Sequence, residues 1–224
     1  MKQLIIILTI LTFQIQVSAS FFYESTEASR TTKNPVINKR AFKRIVKTME
    51  TEFIDYANKF DEQLLMYAGW NNPTADHALA RRWETAQVLI FRGMAHRREI
   101  DRDALVLIIC HELGHLYGGV PLKNERDYIA AEGQADYFAT NHCLKRSLKI
   151  FDPINVDQRA LKAIDNVGKF LANNWGHSHP SQSTPDLSEV EETYMSYPTP
   201  QCRFDTLIAG LSKEERPRCW YAKP

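Results

Sequence analysis

The segment CHELGHLYGGVP, residues 110–121, constrains the fold of this chain more than any other feature. It ends a helix predicted at residues 98–119, which has Asp101 as its N-cap, an almost continuously apolar centre and a glycine at its C-terminal end. His111 and His115 are one turn apart, so their side chains lie on the same face of that helix. Histidines and a glutamate in a buried helix need partners, because burying an uncompensated charge is costly.

The order His-Glu-x-x-His is typical of a hydrolytic zinc site. His111 and His115 can approach one metal ion as ligands. Glu112 points about 100° further round the helix axis, so it can reach a metal-bound water without binding the metal itself. Zinc lowers the pKa of that water to about 7, and Glu112 would act as the general base when the water attacks a carbonyl. We therefore expect Zn²⁺ as the cofactor and Glu112 as a catalytic residue.

The third metal ligand has to come from another part of the chain. The longer pattern HExxHxxGxxH would place a histidine at Pro121, which cannot bind a metal. A second helix, predicted at residues 128–148, offers Glu132 and Asp136 on one face. Glu132 would bind the zinc, and Asp136 would orient a ligand histidine by accepting its other ring hydrogen. Glu125 is a competing ligand, but it lies in a predicted loop and has no partner carboxylate at helical spacing.

HELGH followed by EGQAD resembles the gluzincin peptidases that carry a second E-x-x-x-D motif. More narrowly, it is similar to the family that includes the CAAX prenyl endopeptidases and their soluble, exported relatives. The similar region runs from roughly residue 85 to residue 211. The resemblance implies a zincin-like metallopeptidase domain that cleaves a protein or peptide substrate. It also implies that the strand before the zinc-binding helix, Val88 to Phe91, is the sheet edge along which an extended substrate lies.

The same resemblance implies two further site residues downstream of the second helix. The family carries a histidine–proline step followed by an arginine, and SYPTPQCRF is similar in layout, with Pro198 and Arg203. Tyr197 stands at the histidine position, which departs from the family pattern. A tyrosine hydroxyl can donate a hydrogen bond to a developing oxyanion, and His177 and His179 are alternative donors. Arg203 would orient the site or bind a substrate carbonyl.

Helical periodicity dominates the rest of the chain. Residues 36–67 predict one long helix or two consecutive helices, and residues 152–175 and 203–212 predict two more. Residues 68–78 predict a loop, because they combine glycine, asparagine and proline. The strongest strand prediction is TAQVLIFRGMA, residues 85–95. We therefore expect a helix-rich α+β domain with a small sheet.

The first residues of the chain have the pattern of a secretory signal peptide. Lys2 precedes an apolar run, and small residues follow it, which predicts cleavage after Ala19. The run is too short for a membrane-spanning helix, which needs about 20 apolar residues. We expect residues 1–19 to be the signal peptide and residues 20–224 to be a single domain with no membrane span. The mature protein would be exported, to the periplasm or the medium.

The chain has four cysteines, Cys110, Cys143, Cys202 and Cys219. An even number in an exported chain predicts two disulfides, for which three pairings are possible. We favour a bond between Cys110 and Cys143, which would tie the two site helices together, and a bond between Cys202 and Cys219, which would close a C-terminal loop. None of the cysteines forms a CxxC pair, so a cysteine zinc site is not expected.

Charge and composition narrow the possible partners. The formal net charge is +1 and no dense run of lysine and arginine occurs, so we expect no nucleic-acid binding. The best hypothesis is an exported zinc endopeptidase acting on proteins or peptides. Two alternatives remain: a non-catalytic zinc-containing binding protein on the same fold, and a zinc hydrolase of cell-wall peptide crosslinks. The sequence leaves the oligomeric state and the substrate open.

Overall fold

The computed structural model describes residues 32–72 and 75–223. The predicted signal peptide, residues 1–19, lies outside the described residues. Runs of short strands separate α1, α2 and α3, and helices make up the rest, as expected for an α+β domain. The α-helices are α1 (Lys39–Asn58), α2 (Arg102–Tyr117), α3 (Glu132–Phe138), α4 (Lys145–Phe151), α5 (Val156–Trp175) and α6 (Pro200–Ser212). The strands are β1 (Leu64–Gly69), β2 (Ala78–Arg82), β3 (Ala86–Phe91), β4 (Leu122–Asn124) and β5 (Ile129–Ala130).

The main sheet has three strands in the order β1-β3-β2. Strand β3 pairs in parallel with β1 and antiparallel with β2. The strand that contains Val88 to Phe91 is therefore central, and the expectation that it forms the sheet edge is wrong. Pairing with β1 occupies its second side. The edge nearest to the histidine helix is instead β2, which packs against α2.

Both neighbours of β3 were missed in the sequence. The helix predicted to Tyr67 ends at Asn58, and Asp61 adopts a positive φ of 54° before β1 begins. In β1, Leu64 and Met66 are buried while Tyr67 is exposed. Over so short a run, this pattern is compatible with a helix as well as with a strand. Strand β2 has the sequence ALARR, whose residues favour helices, so its pairing with β3 overrides local propensity.

Helix α2 forms the centre of the domain. The side chain of Asp101 accepts a hydrogen bond from the Ala104 amide, which confirms the predicted N-cap. Every residue from Ala104 to Tyr117 is buried, because α3 and α5 pack around the helix and β2 lies beside it. The helix ends at Gly118, whose amide donates to the Gly114 carbonyl.

The second site helix packs very closely on α2. It begins only at Glu132 and continues through a π-helical segment, Ala139–Leu144, into α4. A Cβ atom on Gly114 would lie 2.5 Å from the Ala135 carbonyl oxygen, so the two backbones approach to a distance that requires glycine. This contact brings Glu132 and its neighbours against the histidines of α2.

The favoured cysteine pairing is confirmed. Cys110 is bonded to Cys143, which joins α2 to the π-helical segment, and Cys202 is bonded to Cys219. Two disulfides indicate an oxidising, extracytoplasmic environment. Within residues 32–72 and 75–223, no helix combines the length and apolar character needed to cross a bilayer.

Candidate metal centre

Helices α2 and α3 bring three predicted metal ligands together. His111, His115 and Glu132 each offer one ligand atom, and these atoms all lie within 4.8 Å of one another. Glu132 Oε2 is 3.4 Å from His111 Nε2 and 3.7 Å from His115 Nε2. All three residues are at most 1% exposed. The cluster is therefore a compact N,N,O donor set that could hold a metal ion.

Each histidine ring is oriented by a hydrogen bond on its Nδ1 side. His111 Nδ1 is 2.7 Å from Asp136 Oδ1, and His115 Nδ1 is 2.8 Å from the Ala130 carbonyl oxygen. Both partners are acceptors, so Nδ1 carries the proton in each ring and donates it. The Nε2 atoms are then the ones that face Glu132 and that would bind a metal ion. This is the arrangement that metal-binding histidines usually show.

Arg203 lies on the side of the centre where Asp136 orients His111. Its Nε and Nη2 donate to Asp136 Oδ2 and Oδ1 at 2.7 and 2.9 Å, and its Nη2 is 3.7 Å from Glu132 Oε2. The side chain is 0% exposed. Of the two roles considered for Arg203, this geometry suits orienting the site and does not suit contact with a substrate carbonyl.

Burial and neighbouring charges shift the pKa values of the site residues on α2 and α3. It raises the pKa of Glu112 to about 8 and lowers the pKa of His115 to about 3. Burial would also lower the pKa of His111, but the charge and hydrogen bond of Asp136 raise it to about 9. The pKa of Glu132 is lowered although burial opposes this, because His115, His111 and Arg203 stabilise the carboxylate.

Several buried polar atoms at the centre lack hydrogen-bond partners among the described residues. They are His115 Nε2, Glu132 Oε2 and both carboxylate oxygens of Glu112. The Ala80 amide of β2 faces Glu112 and lowers its pKa slightly, although the contact falls outside normal hydrogen-bond geometry. Buried polar atoms are nearly always paired, so unpaired ones need an explanation. A bound metal ion would explain the unpaired atoms of His115 and Glu132.

Comparisons with protein families, with curated proteins and with solved structures find no match. The chemistry of the centre therefore follows from its own residues.

The sequence did not indicate Lys123, which also lies at the centre. Lys123 is in β4, and its Nζ is 3.3 Å from Glu132 Oε1 and 4.6 Å from the centroid of the Tyr197 ring. Its side chain is 25% exposed, in contrast to the buried ligands. No motif marks this lysine, because only the pairing of β4 with β5 brings it to Glu132.

The remaining predicted site residues lie at different distances from the ligands. Tyr197 is half-buried. Its ring centroid lies 5.9 Å from that of Trp175 and 4.6 Å from Lys123 Nζ. His179 is exposed and its Nε2 is 3.0 Å from Asn173 Oδ1, so it is engaged elsewhere. Glu125 is exposed and does not belong to the ligand cluster. The structure thus groups Tyr197 with the centre and leaves Glu125 outside it.

Proposed function

We propose that this chain is an exported zinc-dependent endopeptidase of the gluzincin type, with a zincin-like fold. The observation that carries the proposal is the cluster of His111 Nε2, His115 Nε2 and Glu132 Oε2 beside Glu112, whose carboxylate has no hydrogen-bond partner within the described residues. Three protein ligands of this type suit a catalytic zinc, which keeps a position open for water or substrate. The resemblance of HELGH and EGQAD to gluzincin motifs supports the same conclusion.

Zinc bound by this set would supply Lewis acidity, polarising the scissile carbonyl and making water a better nucleophile. Glu112 accepts the proton of the attacking water as the new C–O bond forms. It then delivers that proton to the amide nitrogen as the C–N bond breaks. Burial raises the pKa of Glu112 to about 8 when no metal is bound, and the positive charge of a bound zinc ion would lower it and favour the carboxylate that accepts the proton.

Strand β2 is the natural binding edge for the substrate backbone. The amide of Phe91 donates to the His77 carbonyl, and the amide of Trp83 donates to the Thr85 carbonyl. In an antiparallel pair, residues that bond to the partner strand alternate with residues that face away from it. The backbone N–H and C=O groups of three residues therefore point away from β3: Ala78, Ala80 and Arg82. Since the Ala80 amide faces Glu112, a peptide extended along this edge has a scissile bond close to the general base.

The test compares the purified protein with Glu112→Gln and Glu132→Ala. The parent should bind one zinc ion and cleave a protein substrate such as casein. Glu112→Gln should keep the zinc and lose activity, because it removes the proton acceptor and leaves the ligands. Glu132→Ala should lose most of the zinc. Activity that persists in zinc-loaded Glu112→Gln would refute the proposal, and digestion of peptidoglycan but not casein would identify a cell-wall hydrolase.

A second candidate is a non-catalytic zinc-containing binding protein. The near-complete burial of Glu112, His115 and Glu132 favours it, because a hydrolase needs water and substrate at its metal. In that case the parent and Glu112→Gln would bind zinc equally and neither would cleave peptides. Stabilisation by zinc without turnover on casein or peptidoglycan would support this candidate.

A further inference from the structure

We propose that Lys123 is a catalytic residue of this centre and donates a hydrogen bond to the substrate carbonyl oxygen as that oxygen becomes negatively charged. The proposal rests on the endopeptidase activity proposed above and assigns the oxyanion donor. When water attacks, the carbonyl electron pair moves onto oxygen, and a donor placed beforehand is worth a large rate factor. The donor has to face the substrate side of the centre.

Arg203 does not meet this requirement. Its Nε and Nη2 both donate to Asp136, and its side chain is fully buried behind the histidines. Moving it toward a substrate would leave the buried carboxylate of Asp136 without its arginine, which is costly. Arg203 therefore stabilises the ligands from behind.

Lys123 is the cation that lies on the accessible side. Its Nζ is 3.3 Å from Glu132 Oε1, while Glu132 Oε2 is the oxygen beside the two imidazoles. The ammonium is therefore within a few ångströms of the ligand atoms. Its side chain is also 25% exposed, so it can reach a bound substrate. Three N–H donors on a flexible stem allow it to keep one bond to Glu132 while another turns to the substrate.

The ring of Tyr197 packs against the Lys123 ammonium and helps to hold it in place. The ammonium lies over the Tyr197 ring at 4.6 Å from the centroid, a cation–π arrangement that holds the lysine head near Glu132. The edge of that ring also contacts Trp175. In this role Lys123 only donates a hydrogen bond, and Glu112 carries the proton from water to the leaving amine.

The test measures Lys123→Met, Lys123→Arg and a control, Lys145→Met. The control removes a lysine of α4 that is paired with Asp157 of α5. Zinc content, kcat and KM are determined for each zinc-loaded protein. Binding of a phosphinic peptide is also measured, because its tetrahedral, negatively charged phosphinate replaces the scissile amide. In Lys123→Met we expect kcat to fall about 100-fold to 1,000-fold. Zinc content and KM should change little, and the phosphinic peptide should bind more weakly by a similar factor.

Lys123→Arg should recover part of kcat and of phosphinic peptide affinity, because it keeps a charged donor, and Lys145→Met should match the parent. Unchanged kcat in Lys123→Met would overturn the proposal. So would a loss of zinc that accounts for the loss of activity, because Lys123 would then act only on Glu132. A parent that binds zinc and cleaves no substrate would instead refute the endopeptidase function itself.

Discussion

Asp136 joins Arg203 to His111 through its two carboxylate oxygens. Oδ1 accepts from His111 Nδ1 at 2.7 Å and from Arg203 Nη2 at 2.9 Å, while Oδ2 accepts from Arg203 Nε at 2.7 Å. All three side chains are buried. The paired arginine keeps the pKa of Asp136 low although burial opposes this. The orientation of a metal ligand on α2 thus depends on a residue of α6.

Replacing Arg203 should affect both folding and metal binding. Arg203→Met leaves the buried Asp136 carboxylate without its cation, which costs about 3–5 kcal/mol in the free energy of unfolding. Because His111 loses its oriented partner, zinc affinity should fall about 10-fold to 100-fold. Arg203→Lys should do less harm, since it keeps the charge but loses the two-pronged contact. Urea unfolding of the metal-free protein and competition with a zinc chelator measure the two effects.

Arg159 provides a matched control for Arg203. It also contacts a carboxylate through two nitrogens, with Nε and Nη2 at 2.8 and 2.7 Å from Asp103. Both side chains are about one-fifth exposed, and Asp103 lies in the first turn of α2, at the other end of the helix from the histidines. Arg159→Met should cost about 1 kcal/mol or less and leave zinc affinity unchanged. Equal effects of the two substitutions on zinc affinity would contradict the role of Asp136.

The Cys110–Cys143 disulfide should support the metal centre, because Cys110 immediately precedes His111. Replacing both cysteines by alanine removes the bond without creating a free thiol. We expect a loss of about 2–4 kcal/mol in unfolding free energy and weaker zinc binding. Replacing Cys202 and Cys219 in the same way is the control. It should destabilise the fold while affecting zinc less, because Cys202 precedes Arg203, which acts on the ligands only through Asp136, whereas Cys110 precedes a ligand.

The centre could be predicted from the sequence to the extent that helical spacing determines it. His111 and His115 share a face because they are four residues apart, and Asp136 reaches His111 because it lies one turn after Glu132. Helices α2 and α3 meet through small residues, since a Cβ atom on Gly114 would lie 2.5 Å from the Ala135 carbonyl oxygen. These relationships are local in sequence or follow from a single helix–helix contact.

The parts that escaped prediction depend on pairing between distant segments. Strand β2 has helix-favouring residues, and only its register with β3 makes it the sheet edge. Lys123 reaches Glu132 because a short hairpin of β4 and β5 precedes α3. The buried position of Arg203 follows from the packing of α6 against α3. None of these contacts leaves a periodic signal along the chain.

The metal-free protein should respond to pH through Glu112. Burial raises the pKa of this group to about 8 in the folded protein, above its ordinary value of 4.5. Between these values the unfolded chain releases the proton and the folded chain keeps it, so the folded state loses stability as pH rises from 4.5 toward 8. Glu112→Gln removes this contribution. Since each pKa unit corresponds to about 1.4 kcal/mol, the variant should gain more than about 1 kcal/mol relative to the parent at pH 8.

Urea unfolding of chelator-treated protein at pH 5 and at pH 8 measures this difference. His111 titrates in both proteins and its contribution largely cancels in the comparison, although its pKa is also raised, to about 9. The advantage of Glu112→Gln should be larger at pH 8 than at pH 5. An advantage that stays constant or shrinks over this interval would show that the carboxyl group is not held protonated by burial.

Proline at position 80 should separate substrate binding from folding. Ala80 of β2 lies opposite Val88 of β3. Its amide faces away from β3, so Ala80→Pro removes no hydrogen bond of the sheet. Proline is tolerated on edge strands for this reason. It does remove the amide that would pair with an extended substrate, so KM should rise about tenfold or more while zinc content stays the same.

Leu79→Pro is the contrasting variant, because Leu79 is opposite Leu89 in a pair that exchanges hydrogen bonds. Proline there removes a bond of the ladder and should lower the unfolding free energy markedly. Peptide hydrolysis and zinc content of the two variants, measured alongside urea unfolding, decide the matter. If Ala80→Pro folds, retains zinc and cleaves peptides with the KM of the parent, the substrate does not pair with β2.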